Sequence, residues 1–170
     1  MRERRLIRTL DSRLHGNVGS PLDYGLSRLG GDPLPTVNGI LETSVYVDNM
    51  ERSTYFYDQV MKFQKLVSDE RFCALQAAPQ QVLLLFKRGA STEPMVSDGG
   101  TIPPHDGSGQ THLAFAIPAE ELEPWERWLE LQEVVIESKV RWERGGESIY
   151  FRDPDGNLLE MVTPGCWAIY

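Results

Sequence analysis

Two carboxylates and one histidine in this sequence are of the residue types that bind divalent metal ions. Glu42 and His112 each lie near the start of an apolar stretch, and Glu160 lies near the end of another. Carboxylate oxygens and an imidazole nitrogen are ligands for Zn, Mn, Fe or Ni, and neighbouring carboxylates repel each other unless a cation or a proton lies between them. Together the three residues predict a site for one divalent metal ion, whose identity the sequence leaves open.

The sequence carries one short module twice. Residues 41–47 align with residues 111–117 at an offset of 70, and residues 75–85 align with residues 151–161 at an offset of 76. The hydrophobic pattern matches without a gap in both alignments. The second module is therefore six residues longer than the first between the two aligned segments. The repeat predicts two related halves of one domain with the metal site between them, so that a single chain could hold a complete site.

The alignment pairs Glu42 with His112 and Leu84 with Glu160. Three of these four equivalent positions can bind a metal, whereas Leu84 offers no donor atom. We expect Leu84 to lie beside the ion on its open side, where substrate oxygens bind. The alternative for Glu42 is a solvated side chain on an edge strand.

Each module is expected to fold as a strand, a helix and three further strands, because short alternating stretches indicate strands and longer periodic ones indicate helices. In the first module the elements are predicted at 41–47, 51–61, 64–68, 71–76 and 81–87. In the second they are predicted at 111–117, 119–131, 134–140, 148–152 and 157–163. The predicted fold class is α+β, with two tandem βαβββ modules forming a curved mixed sheet around a metal-binding cleft.

Residues on the sheet face away from the helices should line the cleft. Four candidate residues share that face by alternation: Glu42, His112, Tyr150 and Glu160. Tyr150 is a candidate substrate contact. The alternative is an aromatic side chain that only fills space on the concave face of the sheet. Phe72, Leu84 and Phe86 should form an apolar wall against the substrate, as in many small-molecule pockets.

The domain organisation follows from composition. Residues 1–36 are predicted to be an N-terminal extension and linker with a net charge of +2, so the rest of the chain carries −10. The domain is expected at 37–165, with modules at about 37–88 and 111–165. The tail at 166–170 is apolar and is expected to pack on its own domain or on a second subunit in a homodimer.

The loop at 89–110 joins the modules and is rich in Gly and Pro. Its length is unusual for a connection without a role of its own. It could fold over the cleft as a lid and bring His105 to the substrate as a binding or acid–base group. The alternative is a surface histidine in a flexible linker.

Length and charge narrow the class of protein. A chain of 170 residues can hold one domain with a sizeable core, and a net charge of −8 argues against a nucleic acid as partner. No apolar run approaches the roughly 20 residues of a membrane span. Cys73 and Cys166 are far apart and are expected to be reduced thiols. We therefore expect a cytoplasmic protein whose partner is a small-molecule substrate.

Three segments resemble the vicinal oxygen chelate superfamily, which includes glyoxalase, bleomycin resistance protein and dioxygenase. They are residues 41–57 (LETSVYVDNMERSTYFY), 111–117 (THLAFAI) and 148–161 (SIYFRDPDGNLLEM). The resemblance covers about residues 37–165. It implies metal ligands on the first strand of each module and on the last strand of the second, which are the positions of Glu42, His112 and Glu160.

The resemblance implies a metal-dependent lyase or isomerase whose substrate chelates the ion through vicinal oxygens, with Glu160 or Glu42 as general base. Glu42 departs from the His or Gln that many members have there, and Leu84 departs from the fourth ligand of glyoxalase I. One alternative is a non-catalytic drug-binding protein of the bleomycin-resistance type. A ring-cleaving dioxygenase is another, but the resemblance implies two His ligands for it. Fosfomycin modification is weakened by the same departure.

Overall fold

A computed structural model describes residues 35–170. Within it, Ile40–Tyr170 forms one compact unit. The predicted extension at 1–36 lies almost wholly outside the described residues, so its boundary stays a prediction. In the described part of the chain, no helix has the length and apolar character needed to cross a membrane.

The first module has the predicted order of elements. These are β1 (Glu42–Val47), α1 (Met50–Tyr55), a π-helical continuation (Phe56–Val60), β2 (Gln64–Ser68), β3 (Phe72–Ala78) and β4 (Gln81–Lys87). Asn49 caps α1 and accepts a hydrogen bond from the Arg52 backbone N–H at 2.9 Å. An amide oxygen there satisfies one of the free N–H groups at the helix start.

The π-helical segment distinguishes this helix from the plain α-helix predicted at 51–61. A π turn inserts an extra residue and rotates the side chains that follow. Phe56 and Tyr57, the first residues of this segment, are buried, whereas Tyr55 before them is 65% exposed. The helix therefore covers its sheet with its second half.

The second module is related to the first. Its elements are β7 (His112–Ala116), a 3₁₀ turn (Ala119–Glu121), α2 (Leu122–Leu131), β8 (Ser138–Arg141), β9 (Glu147–Arg152) and β10 (Leu158–Val162). Strand β8 begins later than predicted, because the chain that leaves α2 first packs Val134 and Ile136 against the core. The connecting loop is also more ordered than expected, since it contains a hairpin of β5 (Met95–Ser97) and β6 (Gly100–Ile102).

The two modules form two four-stranded sheets with equivalent topology. The strand orders are β1-β4-β3-β2 and β7-β10-β9-β8, with the first and last strand of each module parallel. Glu42 lies opposite Val82 in one sheet and His112 lies opposite Leu158 in the other. Both offsets of the sequence repeat are therefore preserved in the strand register, and the α+β fold of two βαβββ modules is confirmed.

One hydrophobic core lies beneath the helices and draws on both modules. Its fully buried members include Val45, Leu85, Ile149, Phe151 and Leu159. Alternation along each strand sends the neighbouring residues to the opposite face. Leu84 is buried but is absent from this core cluster, as expected for a side chain on the other face.

The turn between β9 and β10 fastens the second module to the first helix. The Asp155 side chain is fully buried and accepts hydrogen bonds from the Ser53 hydroxyl at 2.5 Å and from the Asp48 backbone at 2.8 Å. Asp153 accepts one from the buried Tyr57 hydroxyl at 2.7 Å. Gly156 completes the turn at a φ of 82°, a backbone conformation that favours glycine. The two acidic residues of this motif are thus structural.

Candidate metal centre

His112 and Glu160 meet on the open face of the second sheet. His112 begins β7, and Glu160 lies in the middle of the adjacent strand β10. The His112 Nε2 atom is 3.2 Å from Oε2 of Glu160. The His112 side chain is 49% exposed, whereas the Glu160 side chain is only 7% exposed. The pair is therefore a buried carboxylate with an accessible imidazole beside it.

The second nitrogen of His112 determines what this pair can bind. Nδ1 is 3.1 Å from the Leu158 carbonyl oxygen, which can only accept, so Nδ1 carries a proton. In the neutral imidazole Nε2 then presents a lone pair to a carboxylate oxygen. Two acceptors at this distance require a cation or a proton between them. Two ligands at about 2.1 Å from one ion are separated by about 3.2 Å, so the pair fits a divalent metal.

Tyr150 holds the other oxygen of Glu160. Its hydroxyl donates to Glu160 Oε1 at 2.9 Å, across the antiparallel pairing of β9 and β10. Burial, the hydrogen bond to Glu160 and the charge of that carboxylate raise the pKa of Tyr150 well above its usual value. Tyr150 therefore stays a hydroxyl donor, and only Oε2 of Glu160 faces His112.

Three further residues, which the sequence pattern does not single out as site residues, reach this site. The Trp142 indole Nε1 donates to the Ser148 hydroxyl oxygen at 2.7 Å, and Ser148 hydrogen-bonds Tyr150. Burial and, secondarily, the Glu160 carboxylate raise the pKa of the Cys166 thiol. Ser148 could have been found from its place two residues before Tyr150 on the same strand face. Trp142 and Cys166 lie in a turn and in the tail, where alternation carries no information.

Glu42 does not join His112 and Glu160 within one chain. Among residues 35–170, no three His, Cys, Asp or Glu side chains gather closely enough to hold a metal ion. Glu42 is exposed at the start of β1, an edge strand of the first sheet. The structure thus brings together two of the three predicted ligands.

The apolar wall expected in the first module consists mainly of aromatic side chains. Phe86 contacts Phe72 at a ring-centroid distance of 5.3 Å, Tyr46 at 6.0 Å and His105 at 4.5 Å. Leu84 lies on the same strand as Phe86 and is 9% exposed. Phe72, Leu84 and Phe86 therefore share one sheet face, as alternation indicates.

His105 is anchored to this aromatic wall. Its Nδ1 is 2.7 Å from the Tyr46 hydroxyl, and its backbone N–H donates to the Ser91 carbonyl at 2.9 Å. Burial and the nearby Asp106 carboxylate raise the pKa of Tyr46. Gly107 lies so close to the Tyr46 ring that a Cβ there would overlap a ring carbon. The loop thus folds onto the first sheet, and within one chain His105 is no part of a three-residue group with His112 and Glu160.

The apolar tail contacts its own domain through the backbone of Cys166, beside Gly146, and through the side chain of Tyr170. The Tyr170 hydroxyl donates to the Ile117 carbonyl at 3.0 Å, whereas Trp167 and Ile169 stay largely exposed. A surface recess of about 540 Å³ lies between α2 and β8 and contains none of the candidate site residues. The site is therefore an open sheet face and not an enclosed pocket of one chain.

Comparison with known proteins agrees with this architecture. The sequence profile of the Glyoxalase/Bleomycin resistance protein/Dioxygenase superfamily matches residues 39–161. The chain is 30% identical to the metallothiol transferase FosB of Shouchella clausii (strain KSM-K16) over 129 residues, which span 75% of this chain and 81% of that protein.

Solved structures share the fold. The lactoylglutathione lyase of Agrobacterium tumefaciens is 28% identical and superposes with a TM-score of 0.72, covering 79% of this chain and 99% of that one. The fosfomycin resistance protein FosX of Listeria monocytogenes is 18% identical, with a TM-score of 0.56 over 75% of this chain and 94% of its own. Because the profile spans most of the chain and the two-module fold recurs in these structures, the chain belongs to the Glyoxalase/Bleomycin resistance protein/Dioxygenase superfamily.

Proposed function

We propose that this protein is a divalent-metal-dependent enzyme of the glyoxalase type, which acts as a lyase or isomerase on a small molecule with two neighbouring oxygens that chelate the ion. The observation that carries the proposal is the contact of His112 Nε2 with Glu160 Oε2 at 3.2 Å, with the Nδ1 proton of His112 committed to a carbonyl. A bound divalent ion would polarise the chelating oxygens and stabilise an enolate or oxyanion.

The third ligand in this proposal is Glu42 of a second copy of the chain. Glu42 lies on β1 and His112 on β7, and among residues 35–170 each of these strands has a paired strand on one side only. Two copies that set β1 of one beside β7 of the other would bring Glu42 to the His112–Glu160 pair. Twofold symmetry would form the site twice. The proposal accounts for the absence of a three-residue group within one described chain.

The contacts of the two carboxylates support different roles. Glu160 is engaged at both oxygens, by Tyr150 and by His112, and is buried. Glu42 is exposed and makes no hydrogen bond or ion pair among the described residues. We therefore assign Glu160 to metal binding and give the general-base role to Glu42, which is free to leave the ion and accept a substrate proton.

The aromatic wall would contact the part of the substrate remote from its chelating oxygens. Tyr46 follows Glu42 by four residues on β1, so the two lie about 13 Å apart at about 3.3 Å per residue. His105, which is bound to Tyr46, would be at a similar distance from the ion. Its role in this account is substrate binding, together with Phe72 and Phe86, and not proton transfer at the metal.

A thiol transferase is the second candidate function. It is favoured by the 30% identity with a metallothiol transferase over 129 residues. The His112–Glu160 pair is compatible with both reactions, whereas Glu42, where the resemblance implies a second His, weakens the transferase. Non-catalytic drug binding is disfavoured because a binding protein needs no imidazole lone pair aimed at a buried carboxylate.

The first experiment measures metal directly. Protein purified without added metal is stripped with a chelator and titrated with Zn²⁺, Mn²⁺, Fe²⁺ and Ni²⁺ by calorimetry. We expect one tight site per chain, lost in His112→Ala and kept in Glu93→Ala, a change of an exposed carboxylate outside the site. Equal affinity in the wild type and in His112→Ala would contradict the proposal.

The second experiment separates the two reactions. The metal-loaded protein is incubated with methylglyoxal and glutathione, or with fosfomycin and L-cysteine, and the products are followed by mass spectrometry. An isomerised thioester without loss of atoms supports the lyase or isomerase proposal. An adduct of L-cysteine with fosfomycin supports the transferase.

A further inference from the structure

A directed chain of hydrogen bonds runs from Trp142 to Glu160. The Trp142 indole N–H donates to the Ser148 oxygen at 2.7 Å, and the Tyr150 hydroxyl donates to Glu160 Oε1 at 2.9 Å. Ser148 and Tyr150 are two residues apart on β9, share a sheet face and are hydrogen-bonded through their side chains. The chain of contacts thus begins outside the sheet and ends on the buried carboxylate.

The direction of these bonds follows from the chemistry of the first member. An indole N–H can only donate, so the Ser148 oxygen must accept from Trp142. Ser148 is 1% exposed, so its hydroxyl does not reach solvent. Its one proton is therefore left for the Tyr150 oxygen. Because that oxygen accepts from Ser148, the single proton of Tyr150 goes to Glu160. A reversal at any step would leave two protons facing each other.

The position of Trp142 is set independently of its side chain. It follows β8 in the turn to β9, where its backbone N–H donates to the Gly146 carbonyl at 2.7 Å and its carbonyl accepts from the Gly145 N–H at 3.0 Å. Gly146 lies against the backbone of the tail, where a Cβ would be 2.6 Å from the Cys166 nitrogen. The turn therefore keeps its geometry when the indole is replaced.

We propose that Trp142 is a positioning residue for the metal site, which acts through Ser148 and Tyr150 to present a single oxygen of Glu160 to the ion. With Tyr150 donating to Oε1, only Oε2 is available beside His112 Nε2. Without the indole, Ser148 is free to turn its proton elsewhere and Tyr150 no longer has to donate to Glu160. The carboxylate can then rotate and bind the ion through both oxygens. This inference rests on the proposed metal-dependent function.

The test uses Co²⁺ as the probe and needs no substrate. Co²⁺ is titrated into the stripped wild type, Trp142→Phe, Ser148→Ala and the double variant, with affinity measured by calorimetry and coordination by visible absorption. We expect each single variant to lose about three- to tenfold in Co²⁺ affinity, at or below the usual range for partners that orient a ligand. The d–d absorption should weaken, because a second carboxylate oxygen raises the coordination number.

The double variant and a matched control decide whether Trp142 acts through Ser148. If both belong to one chain, the double variant should lose no more affinity than either single variant. Trp128→Phe is the control, because its indole also donates, to the Val60 carbonyl at 2.8 Å, outside the site. It should leave Co²⁺ affinity and the absorption spectrum unchanged.

The outcomes separate this inference from the function on which it rests. Wild-type binding with an unaltered Trp142→Phe variant overturns the role of Trp142 alone. Fully additive losses in the double variant overturn its action through Ser148, and an equal loss in Trp128→Phe reduces it to a general effect on stability. Absence of a Co²⁺ site in the wild type contradicts the proposed function and this role with it.

Discussion

Leu84 and Glu160 occupy equivalent positions in the two sheets. Leu84 lies opposite Ser44 where β4 runs parallel to β1, and Glu160 lies opposite Ala114 where β10 runs parallel to β7. One position of the pair carries a buried hydrophobic side chain and the other a buried carboxylate. In a site formed by two copies of the chain, Leu84 would therefore approach the ion from the side opposite to Glu160.

Leu84→Glu is expected to add a fourth protein ligand. Metal affinity should rise by about tenfold or more, because each added carboxylate strengthens binding to a divalent ion. Turnover should fall, since a protein oxygen takes a position that substrate needs. The buried new carboxylate should also make the metal-free protein less stable, so metal should raise the melting temperature more than in the wild type.

Leu66→Glu serves as the control for this change, because Leu66 is 52% exposed on β2. It should alter neither metal affinity nor the stabilisation by metal. If Leu84→Glu folds well and binds metal no better than the wild type, residue 84 is not beside the ion.

Asp155→Asn is expected to loosen the attachment of the second module to the first helix. The change removes a buried charge that accepts bonds from Ser53 and the Asp48 backbone, and charged hydrogen bonds of this kind contribute about 1.5–3 kcal/mol each. We expect the free energy of unfolding, measured in urea, to fall by about 2–3 kcal/mol. Asp98→Asn, an exposed change in the β5–β6 turn, should stay within about 0.5 kcal/mol of the wild type. If Asp155→Asn lowers the free energy of unfolding no more than Asp98→Asn does, and both stay near the wild type, the Asp155 contacts do not stabilise the fold.

Tyr57→Phe is expected to remove part of the alkaline sensitivity of the fold. Burial, then the charge and hydrogen bond of Asp153, raise the pKa of Tyr57 well above the ordinary 10.0. A raised pKa means that the folded state holds this proton more tightly, so its contribution to stability is complete below about pH 10 and declines as pH rises further. The variant should lose about 1–2 kcal/mol at neutral pH and show a shallower decline above pH 10.

Urea unfolding at several pH values measures this difference. Tyr55→Phe, on the exposed side of the same helix, provides the control and should keep the wild-type profile. A Tyr57→Phe profile parallel to that of the wild type above pH 10 would contradict the assignment.

His105→Ala is expected to leave metal affinity unchanged and to weaken substrate binding. His105 contacts Tyr46 and Phe86, at the far end of β1 from Glu42. Calorimetry with metal alone tests the first part, and the ratio of KM to kcat effects tests the second once a substrate pair has reacted. A tenfold loss of metal affinity in His105→Ala would contradict this placement and indicate that His105 lies close to the ion.

Alternation and repeat alignment were enough to predict most of this fold. They placed β1, β2, β4, β9 and β10 within one or two residues, because strands that bury one face have a period that the sequence displays. The same reasoning put His112 and Glu160 on one face, and the structure brings them together. The π-helical segment was beyond it, because an inserted residue in a helix depends on packing of Phe56 and Tyr57 and not on local periodicity.

Contacts made across turns were also beyond the sequence. Trp142 reaches Ser148 only because the chain reverses between β8 and β9, and His105 reaches Tyr46 only because its loop folds back onto β1. Whether Glu42 comes close to His112 and Glu160 depends on how one whole sheet lies beside another. A pattern of residues along one chain records which face a side chain occupies, and it does not record which sheet edge comes to lie beside another.

The measurement that tests the central claim most directly is metal binding by mixed dimers. Glu42→Ala and His112→Ala chains are coexpressed with different affinity tags, and dimers that carry both tags are isolated and titrated with metal. If Glu42 of one copy completes the site of the other, each mixed dimer contains one intact site, because the His112→Ala chain supplies Glu42 and the Glu42→Ala chain supplies His112 and Glu160. Mixed dimers of Glu160→Ala and His112→Ala should have none. We expect one tight ion per mixed dimer in the first case and no tight ion in the second. No tight ion in either mixture, with a full site in the wild type, would contradict the shared site.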